Sequence, residues 1–226
     1  MREVFKFYLD FAVHSASEKR RYGGDGMSTT IKFSSHGSTI SAEVFSRASG
    51  DTGGTVVIAY GSDGMTDDLN GPWASMIRGY GERLSSQGHT AIVPDYFART
   101  GTEPGRSALQ LIPVHLDEWQ ATILDAIPFA ATLPGVDPSR IGLLGFSLGG
   151  HLCLKNRDHG KVLVEFFAPE LAGVGSIASG PKNAQVHHGL ADQVVPLRTL
   201  RAFRRFWKVK ASPRICPPMR RQGMAS

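Results

Sequence analysis

Apolar and polar positions along this chain follow two different periods, and the change of period marks its elements. Residues 29–33 and 39–45 read as two strands joined by a turn at His36-Gly37. Residues 55–60 contain Val56-Val57-Ile58-Ala59, too apolar for a half-exposed strand, which predicts one buried on both faces. Trp73, Met76, Ile77, Tyr80 and Leu84 then fall at helical spacing, with Gly88 placed to end the helix. This aromatic stripe is read as core packing. Residues 90–93 are the next strand, and Leu116, Trp119, Ile123 and Ile127 form a second helical face. A short apolar run ends at Gly145, and residues 161–167 and 184–187 give two further strands. Strands alternating with amphipathic helices predict an α/β fold, with a largely parallel sheet covered on both faces.

A chain of 226 residues is expected to form one domain with a sizeable core. No apolar run approaches the ~20 residues of a membrane span. The stretch from residue 4 to 13 carries Lys6 and Asp10, which argues against a signal peptide. Residues 1–27 end in Gly23-Gly24-Asp25-Gly26 and read as a disordered extension, with Met27 as an alternative start. The globular domain is expected over residues 28–197, followed by a basic segment over 198–226. The formal net charge is +5, but that last segment holds nine of the 25 Lys and Arg and none of the 20 Asp and Glu. The remainder is therefore mildly acidic. No nucleic-acid-binding motif accompanies the basic tail, so neither a nucleic-acid nor a membrane partner is expected. The two cysteines, Cys153 and Cys216, make neither a disulfide framework nor a zinc site, which fits a reducing cytoplasm.

The candidate chemistry lies in Gly145-Phe146-Ser147-Leu148-Gly149, preceded by a predicted strand and followed by a run able to start a helix. This is the G-x-S-x-G nucleophile elbow. Its spacing has a steric cause. The serine stands on a sharp, strained turn that lifts its hydroxyl above the sheet, and bulky side chains two residues to either side would collide with the flanking strand and helix. The backbone N–H of Leu148, opening that helix, can stabilise an oxyanion. The alternative is an ordinary serine in a glycine-rich turn. A phosphate-binding loop is disfavoured, since no Lys-Ser or Lys-Thr pair follows the glycines.

Four stretches together resemble the dienelactone hydrolase branch of the α/β-hydrolases. They are Val57-Ile58-Ala59-Tyr60-Gly61-Ser62-Asp63-Gly64, Val93-Pro94-Asp95-Tyr96-Phe97-Ala98-Arg99, the elbow itself, and His188-Gly189-Leu190-Ala191-Asp192-Gln193-Val194-Val195-Pro196. The resemblance implies an α/β-hydrolase fold and a small-molecule ester or lactone substrate, with no metal or organic cofactor. It also implies that Asp192 is the triad acid and that the Ser62 N–H joins Leu148 in the oxyanion hole. Arg99 stands where some members contact a substrate carboxylate. A helix-capping role for Asp192 and a surface salt bridge for Arg99 remain open, and Asp95 reads as structural. Enzymes for which the family is named use a cysteine nucleophile and a glutamate in the loop after the first buried strand. Here those positions are Ser147 and Gly61, which points to serine members acting on esters or other acyl compounds.

The fold's triad runs serine, acid, histidine, yet the eight histidines are residues 14, 36, 89, 115, 151, 159, 187 and 188, all before Asp192. His151 would lie along the helix after Ser147, and His188 reads as structural. The stretch from residue 198 shows no final strand and no Gly-His motif. A sheet missing its last strand and helix is therefore expected, through truncation or a shifted reading frame. Two functions follow: a serine hydrolase working through an acyl-enzyme, or a catalytically silent protein of the same fold that binds a ligand or partner.

Overall fold

The computed structural model describes residues 26–47, 53–69, 71–169, 171, 183–189, 192, 195 and 208–212. Eight strands form one sheet in the order β1-β2-β4-β3-β5-β6-β7-β8. β1 (Gly26–Ser35) and β2 (Ser38–Arg47) form an antiparallel hairpin, and β2 pairs antiparallel with β4 (Thr90–Pro94). The strands β3 (Thr55–Ala59), β5 (Ile141–Phe146), β6 (Val162–Phe166), β7 (Asn183–Gly189) and β8 (Lys208–Ser212) continue in parallel. Every residue of β3, β4 and β5 is buried, as their unbroken apolar runs require.

Helices cover both faces. In α1 (Trp73–Ser86), Tyr80 packs on Phe146 and Phe166. On the opposite face, Gly145 meets Gly149 and Gly150 of α3 (Leu148–Lys155). There α3 is joined to α2 (Arg106–Ala130) through Asn156 Nδ2 to Gln120 O (3.0 Å) and Lys155 to Asp117 (2.7 Å). The chain runs from β3 through α1 to β4 on one side of β3, then through α2 to β5 on the other side. The sheet therefore reverses its winding between β3 and β5. Open α/β sheets bind ligands at such a switch point, beyond the carboxyl ends of the strands. No helix among the described residues is long and apolar enough to cross a membrane.

Three expectations are corrected. The sheet does have its last strand: β8 pairs in parallel with β7 from Gln185↔Lys208 to Gly189↔Ser212. Five residues of Lys-Val-Lys-Ala-Ser at a sheet edge give a weak periodic signal, and lysines are typical of edge strands. This strand belongs to the segment read as a basic tail, and β1 begins at Gly26, within the expected extension. Finally, α2 starts at Arg106, well before Leu116, the first position of the expected helical face, and runs through Pro113. Proline removes one intrahelical hydrogen bond, to the carbonyl four residues back. Here that residue is the exposed Leu109, whose carbonyl water can satisfy. Residues 1–25, Cys216 and any element after β8 lie outside the described residues.

Candidate active site

Ser147 joins β5 to α3 with φ 50° and ψ −119°, a conformation that non-glycine residues rarely adopt. Its surroundings impose it. The Ser147 N–H donates to Phe166 O (2.9 Å), and Ser147 O accepts the His151 N–H (3.1 Å), the first bond of α3. A Cβ on Gly145 would lie 2.4 Å from Gly149 O, and one on Gly149 only 2.2 Å from the carbonyl oxygens of Ala59 and Tyr60. Both glycines of the elbow are thus required by backbone packing. The loop after β3 runs alongside: a Cβ at Gly61 would stand 3.3 Å from Ser147 Cβ and 4.0 Å from Oγ. Ser62 follows, its carbonyl accepting the Gly105 N–H (2.7 Å). Leu148 is the first residue of α3, so its N–H has no acceptor within that helix. The strand pairing β3–β5 therefore brings together Ser147, Leu148 and the Ser62 loop.

Asp192 sits two strands away, beyond β7. Its Oδ1 accepts the Val195 N–H (2.9 Å), and its own N–H donates to Gly189 O (3.2 Å). His188 Nε2 donates to Val195 O (2.8 Å) and lies 3.7 Å from Asp192 Oδ2, with both side chains almost fully buried. His188 Nδ1 has no hydrogen-bond partner among the described residues. Val195 thus receives a bond from His188 and gives one to Asp192. Other rings are engaged elsewhere: His89 by Gly54, His115 by Glu118 and His187 by Gln185. His151 is buried on α3.

Arg99 has partners in β1 and α2. Its guanidinium donates to Ser35 Oγ (3.2 Å) and reaches Thr122 Oγ1 (3.5 Å), while Ser35 Oγ donates to Asp125 (2.7 Å). Ser35 ends β1, four strands from β5, so this geometry ties the hairpin to α2. Asp95 accepts the Tyr60 hydroxyl (2.8 Å) and the Ala98 N–H (3.3 Å), the structural part read for it.

One ionisable residue was missed by the sequence reading. Glu165, in β6, is buried, and its Oε2 accepts the Ala168 N–H (2.8 Å). Burial pushes its pKa up to about 8, so it is mostly protonated at neutral pH. Burial and the facing Glu165 likewise hold the Cys153 thiol well above its ordinary range, which keeps it unreactive. A lone Glu within the apolar run 162–167 was the available signal.

A family model decides the lineage: the dienelactone hydrolase family matches residues 52–214. The chain belongs to this family. The match spans the β3 loop, the elbow, the Asp192 turn and β8. No curated protein sequence matches the chain. Among solved structures, a dienelactone-hydrolase-like promiscuous phosphotriesterase from metagenomic libraries is similar at TM-score 0.67 and 21% identity, over 84% of this chain and 82% of that one. Est1E from Butyrivibrio proteoclasticus is similar at TM-score 0.60 and 17% identity, over 81% and 87%. XC6422 from Xanthomonas campestris, an α/β serine hydrolase without a lid, gives 0.59 and 16%, over 81% and 83%. At these identities the likeness shows the α/β-hydrolase fold. Family and fold together support a hydrolase.

Proposed function

We propose that this dienelactone hydrolase family member is a serine hydrolase that cleaves a small ester or lactone through an acyl-enzyme on Ser147. The strained Ser147 backbone carries this reading. Such strain persists where the surroundings over-determine it, and it clusters at functional sites. In the proposed reaction Ser147 Oγ attacks the substrate carbonyl carbon as its proton passes to a general base oriented by Asp192. The carbonyl oxygen takes the negative charge and is held by the Leu148 and Ser62 N–H groups. Collapse expels the alcohol, which receives the proton, and water then releases the acid. No histidine follows Asp192 in the 226 residues of this sequence.

Incubation with a p-nitrophenyl ester, followed by peptide mass spectrometry, is expected to find the acyl group on Ser147 and to find none in Ser147→Ala. Turnover unchanged in Ser147→Ala would contradict the proposal. The absent histidine favours a second reading, a binding protein on the same fold. Saturable ester binding without product, at equal affinity in Ser147→Ala, would support it.

A further inference from the structure

Trp73 opens α1 at the edge of the sheet where Ser147 stands, and its indole Nε1–H is a buried donor with no hydrogen-bond partner among the described residues. Buried indoles ordinarily satisfy this group. Trp73 packs against Phe167, with ring centroids 6.1 Å apart. Phe167 directly follows Phe166, whose carbonyl accepts the Ser147 N–H. Phe167 also has φ 46°. Among the described non-glycine residues, only His36 of the hairpin turn and Ser147 share a positive φ with it. Strain is thus repeated on the wall beside the nucleophile.

The loop from Gly61, alongside Ser147, leads to Trp73 through Gly71. A Cβ at Gly71 would lie 3.6 Å from the indole nitrogen, so glycine leaves the space before this N–H without a side chain. The nearby carboxylate Asp67 is committed to the Ser75 N–H (2.9 Å) and hydroxyl. Met65 and Leu171, both partly buried, add apolar surface on the same two loops.

We propose that Trp73 and Phe167 form the acyl subsite beside Ser147, with the Trp73 indole N–H donating to an oxygen of the substrate. The substrate class is then a neutral apolar acyl compound carrying a carbonyl or ether oxygen in its acyl chain. This rests on the serine hydrolase reading. The N–H is closed to solvent, so its acceptor arrives with the substrate. A site holding an unsatisfied donor discriminates against the ligand that lacks the acceptor.

The test uses the full chain with its indole nitrogens observed by proton–nitrogen NMR. Addition of 4-oxopentanoate is expected to move the Trp73 Nε1–H signal downfield, and pentanoate is expected not to. In Trp73→Phe, the ratio of kcat/KM for p-nitrophenyl 4-oxopentanoate over p-nitrophenyl pentanoate should fall about tenfold, the worth of one hydrogen bond. A Trp73 signal unmoved by the oxo acid, or a ratio unchanged in Trp73→Phe, overturns the subsite. A moved signal without acylation of Ser147 keeps the subsite and sinks the hydrolase reading. Acylation of Ser147 with an unmoved signal does the reverse.

Discussion

Ser147 and Asp192 follow two strands of one sheet separated only by β6, yet they are held in different ways. The elbow is fixed from every side by backbone: β6 takes the Ser147 N–H, α3 takes its carbonyl, and two glycines pass within van der Waals contact of neighbouring main chain. Asp192 accepts the Val195 N–H and donates to Gly189 O, with His188 Nε2 3.7 Å away. The conformation of Ser147 is therefore written in residues next to it. The proposed triad role of Asp192 needs a base as well, and no histidine follows it in this sequence.

The largest expected effect comes from Gly149→Ala. The new Cβ would meet two backbone carbonyls at 2.2 Å, which no side-chain rotation relieves. We expect loss of the native fold, or destabilisation of at least ~3 kcal/mol, read by thermal melting. A melting temperature within a degree or two of wild type would show that the elbow is not over-determined. Asp192→Ala separates the two regions. If Asp192 orients the base, kcat for ester hydrolysis falls by about 10⁴-fold, with about 1 kcal/mol lost from the Val195 hydrogen bond. A stability loss alone would make Asp192 a turn-capping residue.

Glu165→Gln probes the β6 strand between them. The folded pKa of Glu165 is raised from 4.5 to about 8, so the native state holds the proton more tightly than the unfolded one. Stability therefore falls as pH rises from about 4.5 to about 8, and the full penalty is present above that. The glutamine variant should be more stable than wild type at pH 9, on the order of a few kcal/mol. It should match wild type near pH 4.5. Denaturant melts at the two pH values check this, and equal stability at pH 9 would contradict the buried neutral carboxyl. The smallest effect is expected from Arg99→Gln, whose contacts are with Ser35 at the end of β1 and Thr122 on α2. We expect a stability change within ~1 kcal/mol and ester kinetics like wild type. A raised KM would return Arg99 to the substrate.

Much of the fold was legible because β3, β4 and β5 are short apolar runs separated by amphipathic helices. The elbow was legible because its steric demand leaves glycines at fixed spacing. What escaped has physical reasons. β8 is short and at an edge, so no burial pattern marks it in the sequence. The start of α2 was hidden by Pro113, which an exposed first half of the helix tolerates. Arg99 lies in a stretch that resembles the family, but its partners Ser35 and Thr122 are 64 and 23 residues away in sequence, where no local pattern reveals them. The Trp73 stripe was read as core, and Tyr80 and Ile77 are core. The unpaired indole N–H at its head emerges only in three dimensions.

Whether Ser147 is a nucleophile displayed by the fold is tested most directly by intact-mass measurement after exposure to a fluorophosphonate. A single adduct is expected, mapping to Ser147 and vanishing in Ser147→Ala. A folded protein that takes no adduct, or an adduct that survives in Ser147→Ala, would contradict it.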